Sequence, residues 1–190
     1  MYVNFQGAES FALKDNYLYS GIHGGDIIRL NLETPKQSWE YVTKIGAPCS
    51  DQHHEAICGR ILGLEFDSKG QLYVCDAYYG LHKINLDSGR NVPLVPSTAV
   101  IEGRKNLLTN SLAISKDDKT IYYTVSSTNF GLQNSMYELL THPTGRVLKY
   151  DVYANISKVS ERNLEEFNPN FQYLYVYVNT LKSIYKRKIP

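Results

Sequence analysis

The chain has 190 residues, with 20 Lys and Arg against 19 Asp and Glu, for a formal charge of +1. That balance excludes an electrostatic nucleic-acid binder, which gathers a basic excess on one face. At 43% hydrophobic and 21% charged residues the composition is that of a globular domain, and no apolar run reaches the roughly 20 residues of a membrane-spanning helix. Tyr supplies 16 residues against one Trp and two Met, and Tyr favours strands.

Taken in chain order, four segments share one pattern: an aliphatic–Tyr pair, a polar or Gly-containing turn, then a second strand-like run. The first runs from Asn16 to Leu32 and the second from Gly70 to Leu86. The third is split between Lys119–Thr124 and Thr144–Tyr150, and the fourth joins Gln172–Val178 to Lys182–Arg187. The marker tyrosines Tyr19, Tyr73, Tyr122 and Tyr175 are 54, 49 and 53 residues apart. A hairpin repeat of about 50 residues is the spacing of β-propeller blades. Alternation of period two puts Ile27, Arg29 and Asn31 on one side and Ile28, Leu30 and Leu32 on the other. Turns are expected at Gly24-Gly25, Ser68-Lys69-Gly70, Asp87-Ser88-Gly89 and Lys116-Asp117-Asp118. The one helical stretch of useful length is Asn134 to Thr141, limited by Pro143. The expected fold is an all-β partial propeller over residues 1–190, about four blades arranged as an open or incomplete ring. Its repeats fall near 7–45, 60–100, 108–155 and 160–190.

Chemistry-bearing motifs are sparse. No phosphate loop, Gly-x-Ser-x-Gly elbow or His-Glu-x-x-His helix occurs. His53, His54 and Glu55 form a polar loop without zinc-ligand spacing, so they are expected in solvent. His23 and His82 sit in blade hairpins and are explained by repeat equivalence, and His142 is a loop residue. Asn155-Ile-Ser157 is an N-glycosylation triplet, placed between the third and fourth repeats. Cys49 and Cys58 flank a polar loop, and Cys75 lies in a strand where a buried, inert thiol is expected.

Several blocks stand in a characteristic order: Gly46-Ala-Pro-Cys49, Cys58-Gly-Arg-Ile-Leu-Gly-Leu64, Asp76-Ala-Tyr-Tyr-Gly-Leu81, Ile101-Glu-Gly-Arg-Lys105, Leu108-Thr-Asn-Ser111, Ile121-Tyr-Tyr-Thr-Val-Ser-Ser127 and Thr144-Gly-Arg-Val-Leu-Lys-Tyr-Asp151. The series resembles the strictosidine synthase-like family, and most closely its animal branch of adipocyte plasma membrane-associated proteins and insect hemomucins. The resemblance covers roughly Gly7 to Ile189. It implies a six-bladed propeller of which this chain looks like a middle piece, with the usual membrane anchor outside it. Attachment to a membrane is accordingly expected only through that anchor.

The resemblance also implies a set of sites. In the family the cysteines matching Cys49 and Cys58 are bridged, whereas the sequence leaves two separate thiols open as the alternative. A bridge together with the Asn155 triplet implies a secretory, lumenal or extracellular setting. Related six-bladed esterases hold calcium in the central tunnel, and by resemblance Glu9 and Asn110 match two ligand positions. A third ligand block, expected before the fourth repeat, is absent from Asn163–Asn170, so the set is incomplete. The family carries an Asp where this chain has Val125, and no catalytic residue is assigned. Strictosidine condensation is not expected. Two function classes remain: a calcium-assisted arylesterase acting on a small ester, and a non-catalytic propeller serving as an interaction module or inactive fragment.

Overall fold

The computed structural model describes residues 6–33, 39–49, 54–141 and 144–160. Three four-stranded antiparallel sheets follow one another, each with its strands in chain order. The first comprises β1 (Phe11–Lys14), β2 (Tyr17–Gly21), β3 (Asp26–Asn31) and β4 (Trp39–Lys44). A one-turn helix, α1 (Glu55–Cys58), precedes the second sheet of β5 (Ile61–Phe66), β6 (Leu72–Asp76), β7 (Gly80–Ile84) and β8 (Asn91–Pro96). A small hairpin of β9 (Val100–Ile101) and β10 (Arg104–Lys105) leads to the third sheet. That sheet holds β11 (Thr109–Ile114), β12 (Thr120–Val125), β13 (Arg146–Asp151) and β14 (Ile156–Val159). The expected helical stretch is a 3₁₀ helix, Leu132–Leu140, inserted between β12 and β13. The fourth repeat falls on residues 161–190, outside the described ones.

The four expected turns close β2–β3, β5–β6, β7–β8 and β11–β12. Aspartates fasten several reversals by accepting backbone N–H bonds two to four residues on. Asp67 Oδ1 accepts from Lys69 N and Gln71 N at 2.9 and 2.8 Å, and Asp151 Oδ1 accepts from Tyr153 N and Ala154 N at 2.9 Å each.

The sheets pack face to face, and alternation along a strand decides which gap each side chain fills. In β6 every residue is buried. Leu72 and Val74 join Tyr19, Ile27, Ile61 and Leu64 in the gap to the first sheet. Tyr73 and Cys75 join Leu81, Leu112, Tyr123 and Leu148 in the gap to the third. The marker tyrosines keep one orientation. Tyr19 and Tyr73 face the following sheet, and Tyr122, paired with Ala113 and Lys149, lies on the third sheet's side away from the second.

Strands β1, β5 and β11 are neighbours, so each sheet presents its first strand on the same side. With four strands per sheet the chain leaves at the end where it entered, and the next first strand begins there too. The residues heading these strands therefore share one end. Gly63 makes the close approach of β5 to β11 feasible, since a Cβ there would stand 2.7 Å from the Asn110 carbonyl oxygen and 3.0 Å from Ser111 Cα. Both neighbours include backbone, which cannot turn aside. Gly63→Ala is expected to lower stability by about 1–3 kcal/mol, read as a lower urea midpoint at unchanged slope; an unchanged midpoint would show that the two strands have slack.

Candidate functional site

At the head end a single guanidinium joins three segments. Arg60 precedes β5 and forms an isolated backbone bridge with His23, which lies in the β2–β3 turn. Its side chain is only 8% exposed. Nη1 donates to the Gly7 carbonyl, Nη2 lies 3.4 Å from Glu9 Oε1, and Nε lies 3.5 Å from Glu55 Oε1. Glu55 Oε1 also accepts from His23 Nδ1. The segment before β1, the β2–β3 turn, α1 and β5 thus meet along one chain of polar contacts, Glu9, Arg60, Glu55 and His23.

Glu55 is held in place by the loop that carries it. The His54 carbonyl accepts from Ile57 N and Cys58 N at 2.8 and 3.0 Å, and Ala47 N donates to the Ile57 carbonyl at 3.0 Å. Cys49 and Cys58 are bridged with their Cα atoms 5.6 Å apart, so the pairing implied by the resemblance is present. Cys75 is fully buried and takes no part in the bridge. Gly25 packs so closely on the Ile45 and Cys58 carbonyls that any Cβ would collide with both.

Beneath this network lies Asp76, fully buried at the end of β6. Oδ1 accepts from Tyr78 N and Tyr79 N at 2.8 and 3.0 Å, while Oδ2 has no hydrogen-bond partner among the described residues. That oxygen sits 2.8 Å from where a Cβ on Gly59 would stand. Burial pushes the carboxyl up to about 6, with Glu55 adding to the rise, against the backbone N–H groups that favour the charged form.

Glu9 and Asn110 head β1 and β11 at this same end. Asn110 Nδ2 donates to Ser126 Oγ at 3.0 Å, and Glu9 faces Arg60. Together they offer one carboxylate, already opposite a guanidinium, and one amide oxygen, against the six to eight oxygens a calcium ion takes. By themselves they do not fit that ion. Among the described residues no group of three or more His, Cys, Asp or Glu is placed to hold a metal.

The other sequence-derived positions are accounted for individually. His54 is exposed, whereas Glu55 is largely covered and ion-paired rather than solvated; His53 and His142 lie outside the described residues. His23 and His82 are not repeat equivalents, because His23 lies in a turn and His82 within the third strand of its sheet. His82 is buried, donates from Nε2 to the Tyr79 carbonyl at 3.2 Å, and has its pKa lowered by burial. Asn155 is in the β13–β14 turn within the third sheet, not between repeats; it is exposed and accepts from Tyr150 Oη at 2.7 Å. Val125 is buried at the end of β12, opposite Arg146. Sequence reasoning passed over Glu138, which is buried in the 3₁₀ helix. It accepts from Ser127 Oγ at 2.6 Å and from both N and Oγ1 of Thr144, fixing the β12–β13 insert over the third sheet.

Sheets stacked face to face with their first strands adjacent define a propeller-type all-β protein. Solved structures of similar shape agree on the fold. One is the extracellular domain of a putative hybrid two-component system from B. thetaiotaomicron, with a TM-score of 0.52 and 16% identity over 81% of this chain and 16% of that one. Another is hydrazine synthase from Kuenenia stuttgartiensis, with a TM-score of 0.51 and 14% identity over 81% of this chain and 36% of that one. No protein-family profile matches the chain. Sequence relatives are more specific. The adipocyte plasma membrane-associated protein hemomucin of Drosophila melanogaster is 36% identical over 158 residues, 80% of this chain and 26% of that protein. The human adipocyte plasma membrane-associated protein is 32% identical over 157 residues, 80% of this chain and 36% of that protein. The chain belongs to this adipocyte plasma membrane-associated protein and hemomucin branch. It spans from 26% to 40% of the length of the curated relatives it matches. No helix among the described residues is long and apolar enough to cross a membrane.

Asp76 gives the site a pH signature. Its folded value near 6 lies above the ordinary 3.8, so between the two the folded chain keeps a proton that the unfolded chain releases. Stability therefore falls as pH rises through that window, and the loss persists above it. Asp76→Asn cannot ionise and keeps an oxygen for the Tyr78 and Tyr79 N–H groups. Its stability relative to the parent is expected to climb by about 2–3 kcal/mol from pH 4 to pH 7. Urea unfolding of both forms across that range checks this; a pH-independent difference would sink it.

Proposed function

We propose that these blades supply part of the binding mouth of an extracellular or lumenal propeller that takes a small ester-type ligand, and that this chain by itself hydrolyses aryl esters poorly. The observation that carries the reading is the convergence of Glu9, Arg60 and Asn110 from the heads of three neighbouring strands at one end. Convergent polar groups over a rigid sheet scaffold suit recognition of a small polar ligand. Catalysis asks for more. Arg60 spends its donors on Gly7, Glu9 and Glu55, and no step can be written from these groups that activates a nucleophile against an ester carbonyl. The Cys49–Cys58 bridge and the plasma membrane association named in the relatives support an oxidising location.

A second reading, calcium-assisted arylesterase activity, is favoured by Glu9 and Asn110 heading the first and third inner strands. It requires further oxygen ligands and release of Glu9 from Arg60. The discriminating experiment is aryl-ester hydrolysis by the purified chain with calcium and with a chelator, alongside thermal unfolding. Little activity and no calcium-dependent rise in Tm are expected. Calcium-dependent hydrolysis that disappears in Glu9→Ala would replace the first reading with the second.

A further inference from the structure

At the end of the sheets opposite Arg60, a cleft of about 430 Å³ opens between the second and third sheets. Its inner wall is built from Tyr73 and Lys83, which face each other directly across β6 and β7 on the side turned to the third sheet. The β5–β6 turn brings Asp67 and Lys69, the end of β1 brings Lys14, and the third sheet brings Asp118 from its first turn.

Positive and negative side chains alternate around the cleft, so formal charge does not choose its ligand. Hydrogen bonding does. The Asp67 carboxylate accepts from two backbone N–H groups of its own turn, and both oxygens of Asp118 are taken, Oδ1 by Ser68 N at 3.1 Å and Oδ2 by Ser68 Oγ. The remaining carboxylate, Asp87, stands exposed on the rim. The ammonium groups are differently placed. Among the described residues neither Lys69 nor Lys83 makes an ion pair, and Lys14 Nζ rests 5.7 Å from the Phe66 ring centre. Tyr73, buried and pushed up to about 12, stays a neutral hydroxyl beside them and donates to the Asp67 carboxylate. Among the described residues the cleft thus offers two ammonium groups without an ion pair, Lys69 interacting with Asp118 only at longer range, whereas the carboxylates of Asp67 and Asp118 are already engaged by turn N–H and hydroxyl donors.

We propose that this cleft binds a small organic oxyanion, a phosphate ester or a carboxylate, held by Lys83 and Lys69 with Lys14 at its edge. The volume falls within the range of about 300–1,000 Å³ typical of small-molecule sites. It leaves room for an organic body beside the charged group, against Leu86 and Val152. Ammonium–oxyanion contacts are of the charge-assisted kind, roughly twice as strong as neutral hydrogen bonds. The site lies at the far end from the Arg60 mouth and is independent of what that mouth binds.

The test uses the full chain and two probes, inorganic phosphate and citrate, titrated at constant ionic strength against chloride. Calorimetry and thermal unfolding are read together. Saturable binding with a rise in Tm is expected for one or both probes, and which of them binds separates phosphate from carboxylate chemistry. Lys83→Met keeps the aliphatic stem and should weaken binding roughly tenfold. Lys149→Met, on the exposed side of β13, should leave it unchanged. No saturable signal with either probe, or equal loss in both variants, overturns the proposal. Should Lys83→Met fold poorly, Lys69→Met on the exposed turn carries the same expectation.

Discussion

The structure depends on burying the middle sheet from both sides. A strand with one wet face alternates apolar and polar residues; β6, read as Leu-Tyr-Val-Cys-Asp, does not, because each of its faces is a core. Leu72 and Val74 commit the second sheet to the first, and Tyr73 and Cys75 commit it to the third. A slip of one residue would exchange the two sets and fit neither gap. Close approach of neighbouring first strands then follows, and with it the demand for a bare glycine at position 63.

That packing fixes distances between sheets but leaves the head end polar, and there electrostatics takes over. Burying a guanidinium costs several kcal/mol unless its donors are satisfied. Arg60 meets the condition with one carbonyl and two carboxylates from different segments, which makes it a fastener between sheets as well as a charge at the mouth. Arg146 meets it only in part and without any carboxylate: it is buried and donates from Nη1 and Nη2 to the Ile101, Arg104 and Lys105 carbonyls at 2.7, 2.8 and 3.1 Å, pinning the β9–β10 hairpin to the third sheet, while its buried Nε has no hydrogen-bond partner among the described residues. The disulfide adds about 2.5 kcal/mol by closing its short loop, and its structural effect is to present Glu55 to His23 and Arg60.

How much of this could be foreseen from the sequence differs between fold and site. Period-two patterning and the spacing of Tyr19, Tyr73 and Tyr122 carry the sheets, since local alternation and turn chemistry are written in neighbouring residues. The site is assembled from residues far apart in the chain. By resemblance Glu9 and Asn110 match two ligand positions, yet nothing local indicates that Arg60 stands opposite Glu9, 51 positions away. Glu55 reads as a solvated loop residue and His23 as an ordinary hairpin residue until the β2–β3 turn and α1 are brought together, 32 positions apart in sequence. Glu138 lies on a stretch whose spacing signals only a helix; its buried role depends on Ser127 and Thr144 reaching it from either side of the insert.

The two ends of the sheets are also built differently, and this accounts for where chemistry can collect. At the far end β5–β6, β11–β12 and β13–β14 reverse through turns of a few residues, such as Ser68-Lys69-Gly70, so a ligand held beside them uses side chains lining the gap between sheets. At the head end the short β2–β3 and β6–β7 turns stand beside connections between sheets and within the third sheet that are long enough to fold on themselves: α1 with its disulfide, the β9–β10 hairpin, and the 3₁₀ helix. Each carries its own anchoring polar group, Glu55, the carbonyls that receive Arg146, and Glu138 in turn. Loops tied down in this way pay their ordering entropy in advance, on folding rather than on binding. The head end is therefore a preorganised surface, and substitutions that free an anchor should be felt there before they are felt in the sheets.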